Sequence, residues 1–306
     1  MTDEDIGGGP GPVRTGRVVV GVDGSSSALA AVTWAAAEAA RRDAELHLVE
    51  VLPASDAAGL AGGRPQGRAR ALLYRAAETA RAVSATVPVS TTALSGRVGP
   101  SLVSQAAGAA LLVVGSNGPG GPIPLSLGRV LGEVTSRAGC PAVVVPGRRA
   151  GTSSTSGAVL VAVDGDTESE GALAFAADTA HRWGEPLLVL DARDTGDRPG
   201  GGAGPEAGGP GLAGCRDRYP GLVIRSATER SVDAVMRSED SIRLVVLGTL
   251  RRSATAGGVP GRNRHFLPLY CPCPVAVVSP HAWPTAHGLT RQPEHVSVAL
   301  GAHGPA

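Results

Sequence analysis

Short apolar runs alternate with amphipathic stretches along the first half of the chain. The apolar runs are rich in Val and Leu and are nearly continuous instead of alternating with polar residues, which is typical of parallel strands covered on both faces. They predict strands at 18–23, 45–52, 87–94, 110–115 and 142–146. The stretches between them have helical periodicity and predict helices at 27–42, 66–83, 99–108 and 126–138. This order predicts an α/β fold with right-handed crossovers.

The same pattern occurs a second time. Residues 18–24 (VVVGVDG) return as 159–165 (VLVAVDG), and 111–115 (LLVVG) return as 244–248 (LVVLG). The sequence therefore predicts two Rossmann-like units, each an open parallel sheet with helices on both faces. We expect them to span 16–147 and 157–280, with a linker at 147–157 and disordered tails at 1–15 and 281–306.

The second unit departs from the first in its middle. It opens with a strand at 158–164 and a helix that begins with a capping box formed by Thr167 and Glu170. Residues 194–214 are mostly Gly, Pro and Asp, so the second long helix should be shortened or replaced by a loop.

The last strands of the two units, 142–145 and 275–278, should pair within the chain. Both are apolar terminal strands with edges that invite pairing, and the linker between the units is short. One chain would then mimic a dimer.

Charge and composition exclude several classes of protein. The net charge is +1 over 306 residues, there is no lysine, and the arginines are scattered, so we expect no nucleic-acid partner. No apolar run reaches the length of about 20 residues that crosses a bilayer, and the acidic start does not resemble a secretory signal. We therefore expect no membrane contact and a cytoplasmic location, with the four cysteines reduced.

The candidate chemistry lies where the predicted strands of the first unit end. Ligands of open parallel sheets bind beyond the carboxyl ends of the strands, at the point where the strand order reverses. Asp23 closes the first strand and Gly115 the fourth, and Gly118 and Gly128 lead into the next helix. Glycines at a strand end and a helix N-terminus let backbone N–H groups approach phosphate oxygens. The alternative is that these glycines serve only turns.

These spacings identify the chain as similar to the ATP-binding universal stress proteins, whose fold is related to the adenine-nucleotide α-hydrolases. Gly115, Gly118 and Gly128 resemble the Gly-x2-Gly-x9-Gly-[Ser/Thr] signature of that family. The resemblance implies that Asp23 holds the ribose, that the backbone near Val51 meets adenine, and that the glycines surround the phosphates. The implied cofactor is ATP, with or without Mg²⁺. No Walker A loop can be written in a chain without lysine.

Three positions leave alternatives open. Arg129 stands where the family signature has Ser or Thr, and it could bind a phosphate or point into solvent. Asp23 could instead serve to cap the next helix. In the second unit Arg251 stands where the first has Gly118, which predicts a degenerate phosphate loop and one ATP for each chain.

Three functions compete on these residues. The first is an ATP-binding stress-response regulator that acts through an unknown protein partner and is not a dedicated enzyme. The second is an ATP-independent interaction module of the same fold. The third is an adenylating enzyme on the related scaffold. Such an enzyme should have a Ser-Gly-Gly-x-Asp-Ser loop after the first strand, and this chain lacks it.

Overall fold

A computed structural model describes most of both units. The residues it describes are 16–52, 64–116, 125–147, 157–163, 167–191, 209–227, 232, 235–236, 242–248, 271–280 and 282–283. In the first unit the elements are β1 (Arg17–Gly21), α1 (Ser26–Arg41), β2 (Glu45–Leu52), α2 (Arg64–Val83), β3 (Val89–Ser95), α3 (Val98–Gln105), β4 (Leu111–Gly115), α4 (Leu125–Arg137) and β5 (Ala142–Val145). In the second they are β6 (Ala158–Val163), α5 (Thr167–Trp183), β7 (Leu187–Asp191), α6 (Gly209–Arg218), β8 (Ile224–Ser226), β9 (Ile242–Gly248) and β10 (Val275–Val278).

The strands form one ten-stranded sheet in the order β3-β2-β1-β4-β5-β10-β9-β6-β7-β8. Within each unit all neighbours are parallel, which confirms the predicted α/β class and the two Rossmann-like units. The second half of the strand order mirrors the first, so the sequence repeat corresponds to a structural repeat.

The units meet through their last strands. β5 and β10 pair antiparallel, with Val144 opposite Val275 and Ala142 opposite Val277. This confirms the predicted pairing within the chain, and it joins the two sheets because each apolar edge covers the other.

The cores lie on both faces of the sheet. On one face α1, α2 and α5 pack against strands of both units in a shared cluster. On the other face α3 and α4 cover the first unit, and a separate cluster covers the second. The apolar residues on the buried face of α1 follow helical spacing and are Ala28, Ala31, Val32, Ala35, Ala36 and Ala39.

A buried polar network also joins the units. Glu38 of α1 is fully buried and accepts hydrogen bonds from Arg42 Nε at 2.6 Å and from Trp183 Nε1 of α5 at 2.8 Å. Arg42 Nη1 lies 3.3 Å from Asp178 Oδ2, and its Nη2 donates to Thr179 Oγ1 at 3.2 Å. Since each charge has partners, its burial is compensated, and the contacts fix α1 against α5.

The structure corrects one boundary and refines one helix. Trp283 was assigned to the C-terminal tail, but its ring packs edge-on against Phe175 with centroids 5.2 Å apart. The core of the second unit therefore extends beyond residue 280, whereas both predicted tails apart from residues 282–283 lie outside the described residues. Within the described residues α6 has 10 residues, against 20 in α2, and the Gly- and Pro-rich residues 194–208 lie outside them.

None of the helices within the described ranges is both long and apolar enough to span a bilayer.

Candidate nucleotide site

The strand order reverses between β1 and β4. The chain leaves β1 toward β2 and β3 on one side and continues in β4 and β5 on the other. Asp23 follows β1, and Gly115 ends β4, so the parallel pairing of the two strands brings both residues to one edge of the sheet. This is the position at which open α/β sheets bind ligands.

Asp23 organises the turn that starts α1. Its Oδ1 accepts a hydrogen bond from the Ser25 N–H at 2.9 Å, and Gly24 adopts a φ of +84°. Ser25 is the N-cap of α1, and its hydroxyl accepts from the Ala28 N–H at 3.1 Å. Asp23 therefore supports the cap but is not itself the cap, and its side chain remains exposed at the sheet edge.

A cleft of about 290 Å³ opens beside this turn. It lies between the start of α1 and one face of α2, and it is lined by Asp23, Gly24, Leu29, Arg68, Ala71, Leu72 and Arg75. Two guanidinium groups, one carboxylate and three apolar side chains can hold a small polar anion with an apolar part.

Val51 directs its backbone groups toward the β1 side of the sheet. Val49 O accepts from the Val22 N–H on the β1 side, and Leu52 O accepts from the Gly96 N–H on the β3 side. Backbone groups of alternate residues in a strand point the same way, so those of Val51 point to the β1 side. The β1–β2 register ends at Gly21 and Val49, and Val51 therefore lies beyond the paired length of β1.

Gly115 has a packing role. A Cβ at this position would lie 2.7 Å from Ala28 N and 2.7 Å from Ser27 Oγ. The end of β4 thus lies directly against the N-terminus of α1, and only glycine allows that approach. Gly115 therefore has a packing role in this fold, whether or not it also contacts phosphate.

The remaining predicted site residues are described only in part. Gly128 and Arg129 lie in the first two turns of α4, but the side chain of Arg129 is outside the description. Gly118 lies outside the described residues altogether, as do Asp164 and Arg251 of the second unit.

Sequence reasoning missed Glu50. It lies on β2, and its side chain is on the face of the sheet that α1 and α2 cover. The residue is 7% exposed, and its Oε2 has no hydrogen-bond partner among the described residues. Burial raises the pKa of the Glu50 carboxyl above its usual value, the positive charge of Arg68 opposes that rise, and Asp23 adds to it. A charged residue inside the apolar run 45–52 was the signal that could have found it.

Among the described residues, no group of three or more His, Cys, Asp or Glu side chains could hold a metal ion. His47 is buried: its Nδ1 lies 2.7 Å from Ser90 Oγ, and burial lowers the pKa of its imidazole. Cys271 and Cys273 are buried with their Sγ atoms 3.4 Å apart.

The model of the Universal stress protein family matches residues 15–146 and 156–215, which is more than half of the chain. The chain belongs to the universal stress protein family. A universal stress protein of Mycolicibacterium smegmatis is 31% identical over 86% of this chain and 97% of its own length. One from Mycobacterium tuberculosis is 35% identical over 61% of this chain and 69% of its own length.

One solved structure shares the fold over most of this chain. A universal stress protein from Archaeoglobus fulgidus superposes with a TM-score of 0.63 at 15% identity, covering 87% of this chain and 97% of that protein. A universal stress protein solved in complex with cAMP is 31% identical over 40% of this chain and 90% of its own length, with a TM-score of 0.32. The long matches extend over both units of this universal stress protein.

Proposed function

We propose that this universal stress protein is a cytoplasmic ATP-binding regulator whose first unit holds the nucleotide. The observation that carries the proposal is the convergence of Asp23, the outward-facing backbone of Val51 and the end of β4 at one sheet edge, beside a cleft with two arginines. Asp23 would bind the ribose, Val51 the adenine, and the segment from Gly118 to Arg129 the phosphates.

Bound nucleotide would act on a protein partner through the surface around α1 and α2. Both helices border the cleft, so a ligand that fills it changes how they present their exposed faces. The proposed role is binding and regulation, with no dedicated catalysis, and Mg²⁺ would accompany the phosphates as it does in other nucleotide sites.

An ATP-independent interaction module is the second candidate. The observation that favours it is that Asp23 and Gly115 each have a structural task, one in the α1 turn and the other against Ser27. Both residues would serve this fold without any ligand.

Purified protein tests the choice directly. We expect heat denaturation of the full chain to release adenine nucleotide, and the protein stripped of nucleotide to bind ATP again in a titration. Asp23→Asn keeps the oxygen that accepts from Ser25 N–H but removes the charge, so ATP should bind about tenfold more weakly, the loss of roughly one hydrogen bond to a charged group.

Asp217→Asn, an exposed position on α6 of the second unit, is the matched control and should bind as the unaltered chain does. Absence of ATP binding by the unaltered chain would favour the ATP-independent module. Equal affinity in Asp23→Asn would reject the ribose role of Asp23.

A further inference from the structure

Glu50 is a buried carboxyl group on the face of β2 that α1 and α2 cover, and the same two helices border the cleft. Glu50 alternates along β2 with the same spacing as Leu46 and Leu48, so its side chain lies on the same face of the sheet, in the core under α1 and α2. That side chain is 7% exposed. The Oε2 atom has no hydrogen-bond partner among the described residues. Buried polar atoms without partners are rare, and they concentrate at sites where strain or function explains them.

The charges that act on Glu50 belong to the cleft. Arg68 of α2 lowers the pKa of Glu50, and Asp23 in the turn after β1 raises it. Both residues line the cleft. On β3 the residue in register with Glu50 is Ala93, which carries no charge. Among the described residues, Arg68 is a cation whose charge acts on Glu50, and it is also available to an anionic ligand in the cleft.

One guanidinium group, that of Arg68, cannot fully neutralise both the Glu50 carboxylate and an anionic ligand. When an anionic ligand bound beside the cleft interacts with Arg68, an ionised Glu50 loses part of the positive charge that stabilises it and also repels the ligand. A proton taken from solvent onto a Glu50 carboxylate oxygen removes both effects. No other bond forms or breaks in this step.

We propose, resting on the nucleotide site argued above, that Glu50 sets the affinity of the first unit by holding a proton when nucleotide is bound, so that ATP binding takes up a proton. The pKa of Glu50 is then higher in the complex than in the free protein. By linkage, affinity is greatest at low pH and falls as the pH rises through the raised pKa of the complex.

Calorimetric titration of the full chain with ATP tests this, from about pH 5.5 to about pH 8.5 in pairs of buffers that differ in ionisation enthalpy. Glu50→Gln imitates the protonated side chain. Glu78→Gln, an exposed position on α2 that pairs with Arg81, is the matched control. The titration of the ATP phosphates is common to all three proteins and cancels between them.

We expect the affinity of the unaltered chain and of Glu78→Gln to fall on the order of tenfold more than that of Glu50→Gln across this range, since one linked proton gives at most a tenfold change for each pH unit. Glu50→Gln should bind at high pH at least as tightly as the unaltered chain. At about pH 8, where phosphate is already ionised, the unaltered chain should still take up protons on binding.

The same pH dependence in the unaltered chain and Glu50→Gln, with no proton uptake by the unaltered chain at about pH 8, would overturn the proposal and leave the nucleotide site standing. Loss of binding by a folded Glu50→Gln at every pH would overturn it too, since the ionised carboxylate would then be a ligand contact. No ATP binding by the unaltered chain at any pH would reject the nucleotide site itself and this proposal with it.

Discussion

At the residue scale, Gly115 is the position where backbone packing leaves the least room. A Cβ there would lie 2.7 Å from backbone and side-chain atoms of Ser27 and Ala28. We expect Gly115→Ala to lower the free energy of unfolding by about 2 kcal/mol, the usual scale of overpacking against atoms that cannot move away. Urea unfolding measures it.

Gly132→Ala is the matched control for that experiment. Gly132 is exposed on α4, and a Cβ there meets nothing within 4 Å. Alanine is the better helix former, so this change should stabilise the protein by roughly 0.5–1 kcal/mol. Equal effects of the two substitutions would contradict the packing role of Gly115.

Residue positions were predictable only where a strand end defines them. The sequence puts Asp23 and Gly115 at the ends of two predicted strands, and because those strands are parallel neighbours both residues lie at the same edge of the sheet. It did not predict Glu50, because hydrophobic patterning alone does not tell which face of a buried strand borders a cleft. Nor did it show that Gly115 packs on Ser27, which depends on the position of α1 across the sheet.

At the element scale, α1 and α5 are held together by charges that have little access to water. Arg42 lies between Glu38 of its own helix and Asp178 of the other unit. We expect Arg42→Ala to cost about 3 kcal/mol of unfolding free energy, because the fully buried Glu38 carboxylate loses its nearest cation. Urea or thermal unfolding measures the change.

Arg81→Ala removes an ion pair of similar length, 2.7 Å to Glu78, in which both side chains are 52% exposed. Solvent screens that pair, so the expected change is about 0.5 kcal/mol or less. If Arg42→Ala were as mild as Arg81→Ala, the network would not hold the units together.

The pairing of elements was predictable to different degrees. The contact of β5 with β10 followed from two apolar strands at the ends of repeated units, and the structure confirms it. The contact of α1 with α5 was not predicted, since Arg42 and Asp178 are 136 residues apart and each also fits an ordinary exposed helix position. The packing of Trp283 was missed for a related reason: one aromatic residue in a Pro-containing segment has no periodicity.

At the scale of the whole molecule, this universal stress protein has a symmetric frame with unequal units. The strand order is mirrored about the β5–β10 pair, but the middle of the second unit carries a shorter helix, and Arg251 takes the sequence position that corresponds to Gly118. Because Arg251 of the second unit corresponds to Gly118 of the first, we expect only the first unit to bind nucleotide.

Calorimetric titration of the full chain with ATP, read for stoichiometry, tests this most directly. The account predicts one ATP for each chain, abolished by Gly118→Val, because a branched side chain blocks the close approach of backbone to phosphate, and retained in Arg251→Gly. Two sites of similar affinity, or binding unchanged by Gly118→Val, would contradict it.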